Sequence, residues 1–140
     1  MTLDYLFVHH FGGFKNDPYA SSQWLTEEHL ENAHQSRWPD FPSELNGSFI
    51  GYTIVIFPTY WKQFRYIGEE LAANKGYNSR SVAIAIAGNF NLIGGKPIDT
   101  MTGTQKELFK QLAQAILDGK PESVGLKVKA GTEIKIPLAN

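Results

Sequence analysis

The feature that most constrains this chain is an apolar segment at residues 81–87 in which large and small side chains alternate. The large residues are Val82, Ile84 and Ile86, and the small ones between them are Ala83, Ala85 and Ala87. A period of two is typical of a β-strand, because successive side chains point to opposite faces of a sheet. The segment therefore predicts a strand with one bulky face and one small face, and the small face allows a helix to pack closely.

Five further segments are predicted to be strands. Residues 3–10 are apolar and aromatic, and a His pair and two glycines end the segment. Residues 52–57 are rich in β-branched side chains and lie between a glycine and a proline. Residues 63–67 are predicted to pair with 52–57, and residues 126–128 and 134–136 to form a hairpin.

Two segments have helical patterns. Residues 21–38 contain a capping residue, Thr26, followed by acidic residues and by apolar residues at helical spacing, and Pro39 ends the pattern. Thr104 and Glu107 have the spacing of a capping box and precede an amphipathic stripe that a glycine and a proline terminate. Both segments are predicted to be helices.

Composition excludes several classes of function. The chain has 140 residues, 42% apolar and 19% charged, which is typical of one globular domain spanning residues 1–140. Its 13 basic and 14 acidic residues give a net charge of -1, which disfavours nucleic acid as a partner because phosphate affinity needs an excess of Lys and Arg. The absence of cysteine excludes disulfides, a thiol nucleophile and thiolate zinc sites. No membrane span or signal peptide is predicted.

The histidines do not define a site by themselves. His9 and His10 are adjacent at the end of a predicted strand, so their side chains point to opposite faces and only one can join a given site. His34, on the first predicted helix, is equally compatible with a half-buried side chain that bonds a backbone carbonyl.

The order of several short motifs is more specific than any one of them. They are the strand end Phe-Val-His9-His10, the helical His34-Gln-Ser-Arg37-Trp38, then Gly51-Tyr52, Gly76-Tyr77-Asn78 and Gly88-Asn89-Phe90. In this order, over residues 3–117, the chain resembles the zinc N-acetylmuramoyl-L-alanine amidase family, which includes amidase-type phage lysozymes and the peptidoglycan recognition proteins. The resemblance implies an α/β (α+β) fold with a central mixed sheet, a helix on each face and a substrate groove along the strand ends.

The resemblance also implies roles for single residues. His9 matches a zinc ligand of the family, and Tyr52 matches a catalytic tyrosine that stabilises an oxyanion or positions the zinc-bound water; a structural tyrosine at a sheet edge is the alternative. The residues implied to bind substrate are His34, Arg37, Trp38 and Asn78. The implied cofactor is Zn²⁺, the implied partners are peptidoglycan or muramyl peptides, and the implied reaction is hydrolysis of the amide between the lactyl group and L-alanine.

The chain departs from the family pattern at the metal site. The family completes this site with a second histidine and a cysteine or acidic residue late in the chain, whereas this sequence has no histidine after His34 and no cysteine. Thr53 also stands where the family motif has a histidine after the tyrosine. Since catalytic zinc normally has three protein ligands, this chain alone is predicted not to hydrolyse peptidoglycan.

Three explanations of this departure stay open. The domain is C-terminally incomplete, or the chain binds cell-wall fragments without cutting them, or a second chain supplies ligands such as Asp99 or Glu133. A phage regulatory module or an unrelated α/β binding module is the alternative to all three.

Overall fold

The computed structural model of the protein describes residues 2–13, 17, 21, 22, 24–93, 96, 97 and 99–137. Within these residues lie helices α1 (Glu27–Arg37) and α2 (Gly103–Leu117) and a 3₁₀-helix at Pro121–Val124. The strands in chain order are β1 (Thr2–Leu3), β2 (Tyr5–His10), β3 (Ile54–Ile56), β4 (Trp61–Gln63), β5 (Ser81–Ile86), β6 (Leu92–Ile93), β7 (Lys96–Pro97) and β8 (Glu133–Ile134). None of the helices described is long and apolar enough to cross a membrane.

The central sheet is mixed, as predicted. Its strand order is β2-β5-β3-β4, with β5 parallel to both β2 and β3, and β3 antiparallel to β4. Ala85 in β5 lies opposite His9 on one side and Val55 on the other. The carboxyl ends of the three parallel strands therefore meet at one edge, where β2 ends in the His pair.

The two faces of β5 pack into different hydrophobic clusters. The bulky face joins residues of α2, among them Leu112 and Ile116. The alanine face joins Leu30 of α1 together with Ile50 and Phe57. All six residues of β5 are buried, so the strand is enclosed on both sides and stabilised by removal of its apolar area from water.

Helix α1 begins directly after the predicted cap, Thr26. The Thr26 side chain accepts a hydrogen bond from the His29 backbone nitrogen (3.2 Å). In the segment before the cap, Ser22 is buried and its hydroxyl donates to the Gly12 carbonyl at 2.5 Å, which anchors this segment beyond the end of β2. Residue 23, in the predicted range, lies outside the described residues.

The buried side of α1 is a narrow stripe. Leu30 and His34, one turn apart, are its buried residues. Leu30 packs on the sheet, whereas His34, nearer the C-terminal end of the helix, accepts a hydrogen bond from the Gly51 nitrogen.

The N-cap of helix α2 lies two residues earlier than the sequence predicts. The N-cap is Thr102 and Gln105 completes the capping box, in place of the predicted Thr104 and Glu107. The Gln105 side chain is fully buried, and its amide nitrogen also donates to backbone carbonyls at the carboxyl ends of β3 and β5 at 3.2 and 2.8 Å. These tertiary bonds select the position at which the helix begins.

Two strand predictions are also corrected. The strand predicted at 63–67 lies at Trp61–Gln63, because the Thr53 carbonyl accepts bonds from both Phe64 and Arg65 and the chain then leaves the ladder. The hairpin predicted from residues 126–136 is wrong: β8 pairs in parallel with β1, and Val128 forms an isolated parallel bridge with Ile67. Short alternating segments can pair with any available edge, and their period does not specify which.

Candidate functional site

A groove of about 780 Å³ lies between the C-terminal end of α1 and a loop at residues 70–78, which we call the wall loop. This volume is in the usual range for small-molecule sites. The groove is lined by every residue implied to bind substrate or assist catalysis: His34, Arg37, Trp38, Tyr52 and Asn78. The fold thus brings these five side chains together, while their functional roles remain predictions.

His34 is held as a neutral hydrogen-bond donor. The backbone nitrogen of Gly51 donates to its Nδ1 at 2.8 Å. Burial, with a further contribution from the charge of Arg37, lowers the pKa of His34 to about 4. At neutral pH the single ring proton is therefore on Nε2. Nε2 makes no hydrogen bond to another residue that the structure describes, so this N–H is available to a ligand.

Tyr52 lies between His9 and His34 in a row of four rings that ends at Trp38, which we call the aromatic row. Its ring centroid lies 5.5 Å from that of His9 and 5.2 Å from that of His34, and His34 meets Trp38 edge-on at 5.1 Å. Burial raises the pKa of Tyr52, so the phenol stays protonated at neutral pH. Its hydroxyl has no hydrogen-bond partner among the described residues, which leaves a second neutral donor at the groove floor.

Gly51 explains how the helix and the wall loop both reach the segment before β3 that carries Tyr52, where the strand predicted at 52–57 has not yet begun. Its nitrogen donates to His34, and its carbonyl accepts from the Ala72 nitrogen at 3.1 Å. A Cβ at this position would overlap the Ala72 carbonyl group. A glycine is therefore required before the tyrosine by the close approach of backbone to backbone.

Asn78 shapes the wall loop. Its side-chain oxygen accepts hydrogen bonds from the nitrogens of Ala73 (3.0 Å) and Asn74 (2.7 Å), and its carbonyl accepts from Leu71 (3.0 Å). The side-chain oxygen is thus used within the loop. The amide nitrogen of Asn78 is the part of this side chain that remains for a ligand.

A buried ion pair that the sequence analysis missed supports the groove from behind. Arg65 is 0% exposed and lies 3.5 Å from the carboxylate of Glu69. Its guanidinium donates to the carbonyls of Ile50 (2.8 Å), Phe41 (2.7 Å) and Glu70 (3.3 Å). Because these carbonyls belong to three separate segments around the groove, one side chain fixes their mutual positions. A single arginine inside the strand predicted at 63–67 carries no sequence signal of such a role.

The charged residues at the groove favour an anionic group. Arg37 and Lys75 are exposed, line the groove and form no salt bridge with any described residue. Glu70 is the carboxylate in the same lining. Two cations against one anion create a local positive potential in a concave site, which attracts carboxylates.

His9 and His10 point to opposite faces, as strand alternation predicts. His9 faces the groove side, where its Nε2 is hydrogen-bonded to the Asn74 side-chain oxygen and its ring contacts Tyr52. His10 stacks on Phe90 on the other face, and its Nδ1 accepts from the Phe90 nitrogen at 3.2 Å. Of the pair, His9 alone adjoins the candidate site.

The described residues around His9 do not fit a catalytic zinc ion. Catalytic zinc sites use three protein ligands and keep one position open. Among the residues that the structure describes, no group of three His, Cys, Asp or Glu side chains is placed to hold a metal. The Nε2 atom of His9 is, in addition, already bonded to Asn74.

Comparison with solved structures identifies a protein of the same fold. PGRP-Hd from Alvinella pompejana, a peptidoglycan recognition protein, superposes with a TM-score of 0.54 at 19% sequence identity, over 97% of this chain and 74% of that one. At this identity the likeness concerns the fold alone. No protein-family model and no curated protein sequence matches the chain.

Proposed function

We propose that this protein binds peptidoglycan fragments, with a muramyl peptide seated in the groove between α1 and the wall loop. The observation that carries the proposal is the pair of neutral donors without described partners, His34 Nε2–H and Tyr52 OH, set within the aromatic row. The likeness of the fold to a peptidoglycan recognition protein supports the same ligand class.

The chemistry of the groove suits both parts of a muramyl peptide. The two donors suit carbonyl oxygens of the lactyl and peptide amides, which accept hydrogen bonds. The half-buried Trp38 offers an apolar surface to a sugar ring or a peptide methyl group. Arg37 and Lys75 are suited to the carboxylate that ends the peptide.

Binding is the proposed activity of the chain as it stands. The amidase reaction implied by the family resemblance would require a completed metal site, and the described surroundings of His9 lack one. We therefore propose recognition without cleavage, with Tyr52 acting as a hydrogen-bond donor to bound ligand.

Calorimetric titration with muramyl dipeptide tests the proposal. Tyr52→Phe removes one hydrogen bond and is expected to weaken binding by roughly three- to tenfold. Trp38→Ala removes the apolar wall and is expected to weaken it by tenfold or more. Saturable heat that both substitutions reduce would support the proposal.

Matched controls lie outside the groove. Trp24→Ala and Tyr60→Phe remove a ring and a hydroxyl from residues that are 73% and 45% exposed and line a separate cavity. Neither is expected to change the affinity. If neither muramyl dipeptide nor a longer muramyl peptide produces heat, or if the control substitutions weaken binding as much as the groove substitutions, the proposal is wrong.

A further inference from the structure

The side chain of His9 begins a chain of hydrogen bonds that runs into the wall loop. Its Nε2 is bonded to the side-chain oxygen of Asn74. The amide nitrogen of Asn74 donates to the Ser81 hydroxyl at 3.2 Å, and that hydroxyl donates to the Tyr77 carbonyl at 2.7 Å. Because Asn74 uses its nitrogen toward Ser81, its oxygen faces His9, and His9 must donate from Nε2.

This chain connects the wall loop to the edge strand of the sheet. Other contacts also hold the loop. Within it, Asn78 accepts from two loop nitrogens, and the Tyr77 nitrogen donates to the Asn74 carbonyl at 2.8 Å. The Tyr77 ring also packs on Tyr5 and Phe7 of β2, with ring centroids 4.9 and 5.6 Å apart. At the beginning of the loop, the Ala72 nitrogen donates to the Gly51 carbonyl. Asn74 is 8% exposed and forms part of the groove lining, so the position of this residue affects the shape of the site.

We infer that His9 is a positioning residue that holds the wall loop against β2, and that it does so in place of a metal-binding role. The requirement at this position is an N–H donor aimed at Asn74. Zinc ligation by Nε2 would require this nitrogen to release Asn74, since one nitrogen cannot both donate a proton and coordinate a metal. Ligation by Nδ1 would leave the bond to Asn74 intact, but the described residues place no group of three metal-ligating side chains there. The inference rests on the proposed function only where it concerns ligand affinity.

Two substitutions separate the two roles of His9. His9→Gln keeps an N–H donor at a similar distance along the side chain, whereas His9→Leu removes the donor and keeps apolar bulk. Hydrogen exchange of the backbone amides of Ala73, Asn74 and Tyr77 is measured in the full-length, ligand-free protein. We expect roughly tenfold faster exchange in His9→Leu, the equivalent of about one hydrogen bond, and near-normal exchange in His9→Gln.

The control substitution is His10→Leu, which alters the neighbouring strand residue on the opposite face and is expected to leave these three amides unchanged. Asn74→Ala breaks the same bond from the loop side and is expected to accelerate exchange at Ala73 and Tyr77 as His9→Leu does. If His9→Leu does not fold, exchange in Asn74→Ala tests the role of the His9–Asn74 bond instead. Unchanged exchange in His9→Leu or Asn74→Ala, or equal acceleration in His9→Gln, would overturn the inference.

Zinc and muramyl dipeptide provide two further readouts. If His9 is a metal ligand, added zinc raises the melting temperature of the wild type and His9→Gln loses that rise; this result would overturn the inference. With muramyl dipeptide, we expect His9→Leu to bind several-fold more weakly and His9→Gln to bind normally. Because exchange is measured without ligand, failure of muramyl dipeptide to bind would reject the proposed function and leave the exchange result to judge His9.

Discussion

At the scale of single residues, His34 combines two functions that depend on its neutral form. Its Nδ1 accepts from the Gly51 nitrogen and so joins α1 to the segment before β3 that carries Tyr52. The side chain also lines the groove, and its Nε2–H has no hydrogen-bond partner among the described residues. Accepting at Nδ1 while carrying a proton on Nε2 requires the neutral imidazole, and burial maintains that state by lowering the pKa of His34 to about 4.

Stability is therefore expected to fall as the pH is lowered from about 6.5 to 4. An ordinary histidine has a pKa of 6.5, whereas the pKa of His34 in the fold is about 4, so the unfolded chain binds more protons in this window. The contribution of His34 is fully present above pH 6.5 and is lost on acidification, by up to about 3 kcal/mol. Urea unfolding at a series of pH values measures it.

The matched variant for this measurement is His34→Asn, whose side-chain oxygen can accept from Gly51 and does not titrate. The pH profile of the free energy of unfolding of this variant is subtracted from that of the wild type. The subtraction removes the contributions of all other titrating groups, including Glu31. The difference between the two profiles should have its slope between pH 4 and 6.5. A difference that is independent of pH would contradict the role assigned to burial of this imidazole.

At the scale of secondary-structure elements, α2 shows how a buried polar side chain determines where a helix starts. The Thr102 hydroxyl accepts from the Gln105 nitrogen at 3.0 Å and donates to the Pro58 carbonyl at 3.1 Å. Gln105 in turn bonds the sheet edge. The helix start, the Pro58 turn and the ends of β3 and β5 are thus linked by two side chains.

Two threonine substitutions measure this cap. Thr102→Ala removes both of its hydrogen bonds and is expected to lower the free energy of unfolding by about 1 to 2 kcal/mol. Thr104 is the exposed second residue of the helix. Thr104→Ala is expected to change the free energy of unfolding by less than about 0.5 kcal/mol. Denaturant unfolding of both variants checks the assignment, and the reverse order of effects would place the cap at Thr104.

At the scale of the whole molecule, the groove depends on contacts between segments far apart in sequence. The aromatic row takes rings from β2, from α1 and from the segment before β3. Arg65 and Glu69 join three further segments behind it. The groove does not depend on a metal site. It is formed even though the described residues near His9 do not provide three metal ligands.

The whole chain is accordingly expected not to cleave the lactyl-L-alanine amide, even with added zinc, because the geometry that activates a bound water requires several protein ligands. Chromatographic detection of released peptide from a muramyl peptide measures this, with an active zinc amidase as the positive control for the substrate. Turnover by this chain that a chelator abolishes would contradict the expectation.

Local patterns in the sequence determined the elements whose identity depends on neighbours along the chain. The alternation in residues 81–87 predicted β5 because period two reflects strand geometry alone. Thr26 predicted the start of α1 because a cap acts within one turn. The ordered motifs also predicted five of the residues that line the groove. These motifs lie in different segments, which the fold brings to one place.

Only the tertiary structure decided features that depend on partners distant in sequence. Gln105 displaced the predicted cap because the sheet edge offers its amide two carbonyls, and β8 paired with β1 because an open edge was available there. The bond from His9 to Asn74 joins residues 65 positions apart, and Arg65 is buried among carbonyls of both the loop before β3 and the wall loop. Periodicity and capping are local properties, whereas hydrogen-bond partners and burial are set by which segments meet in space.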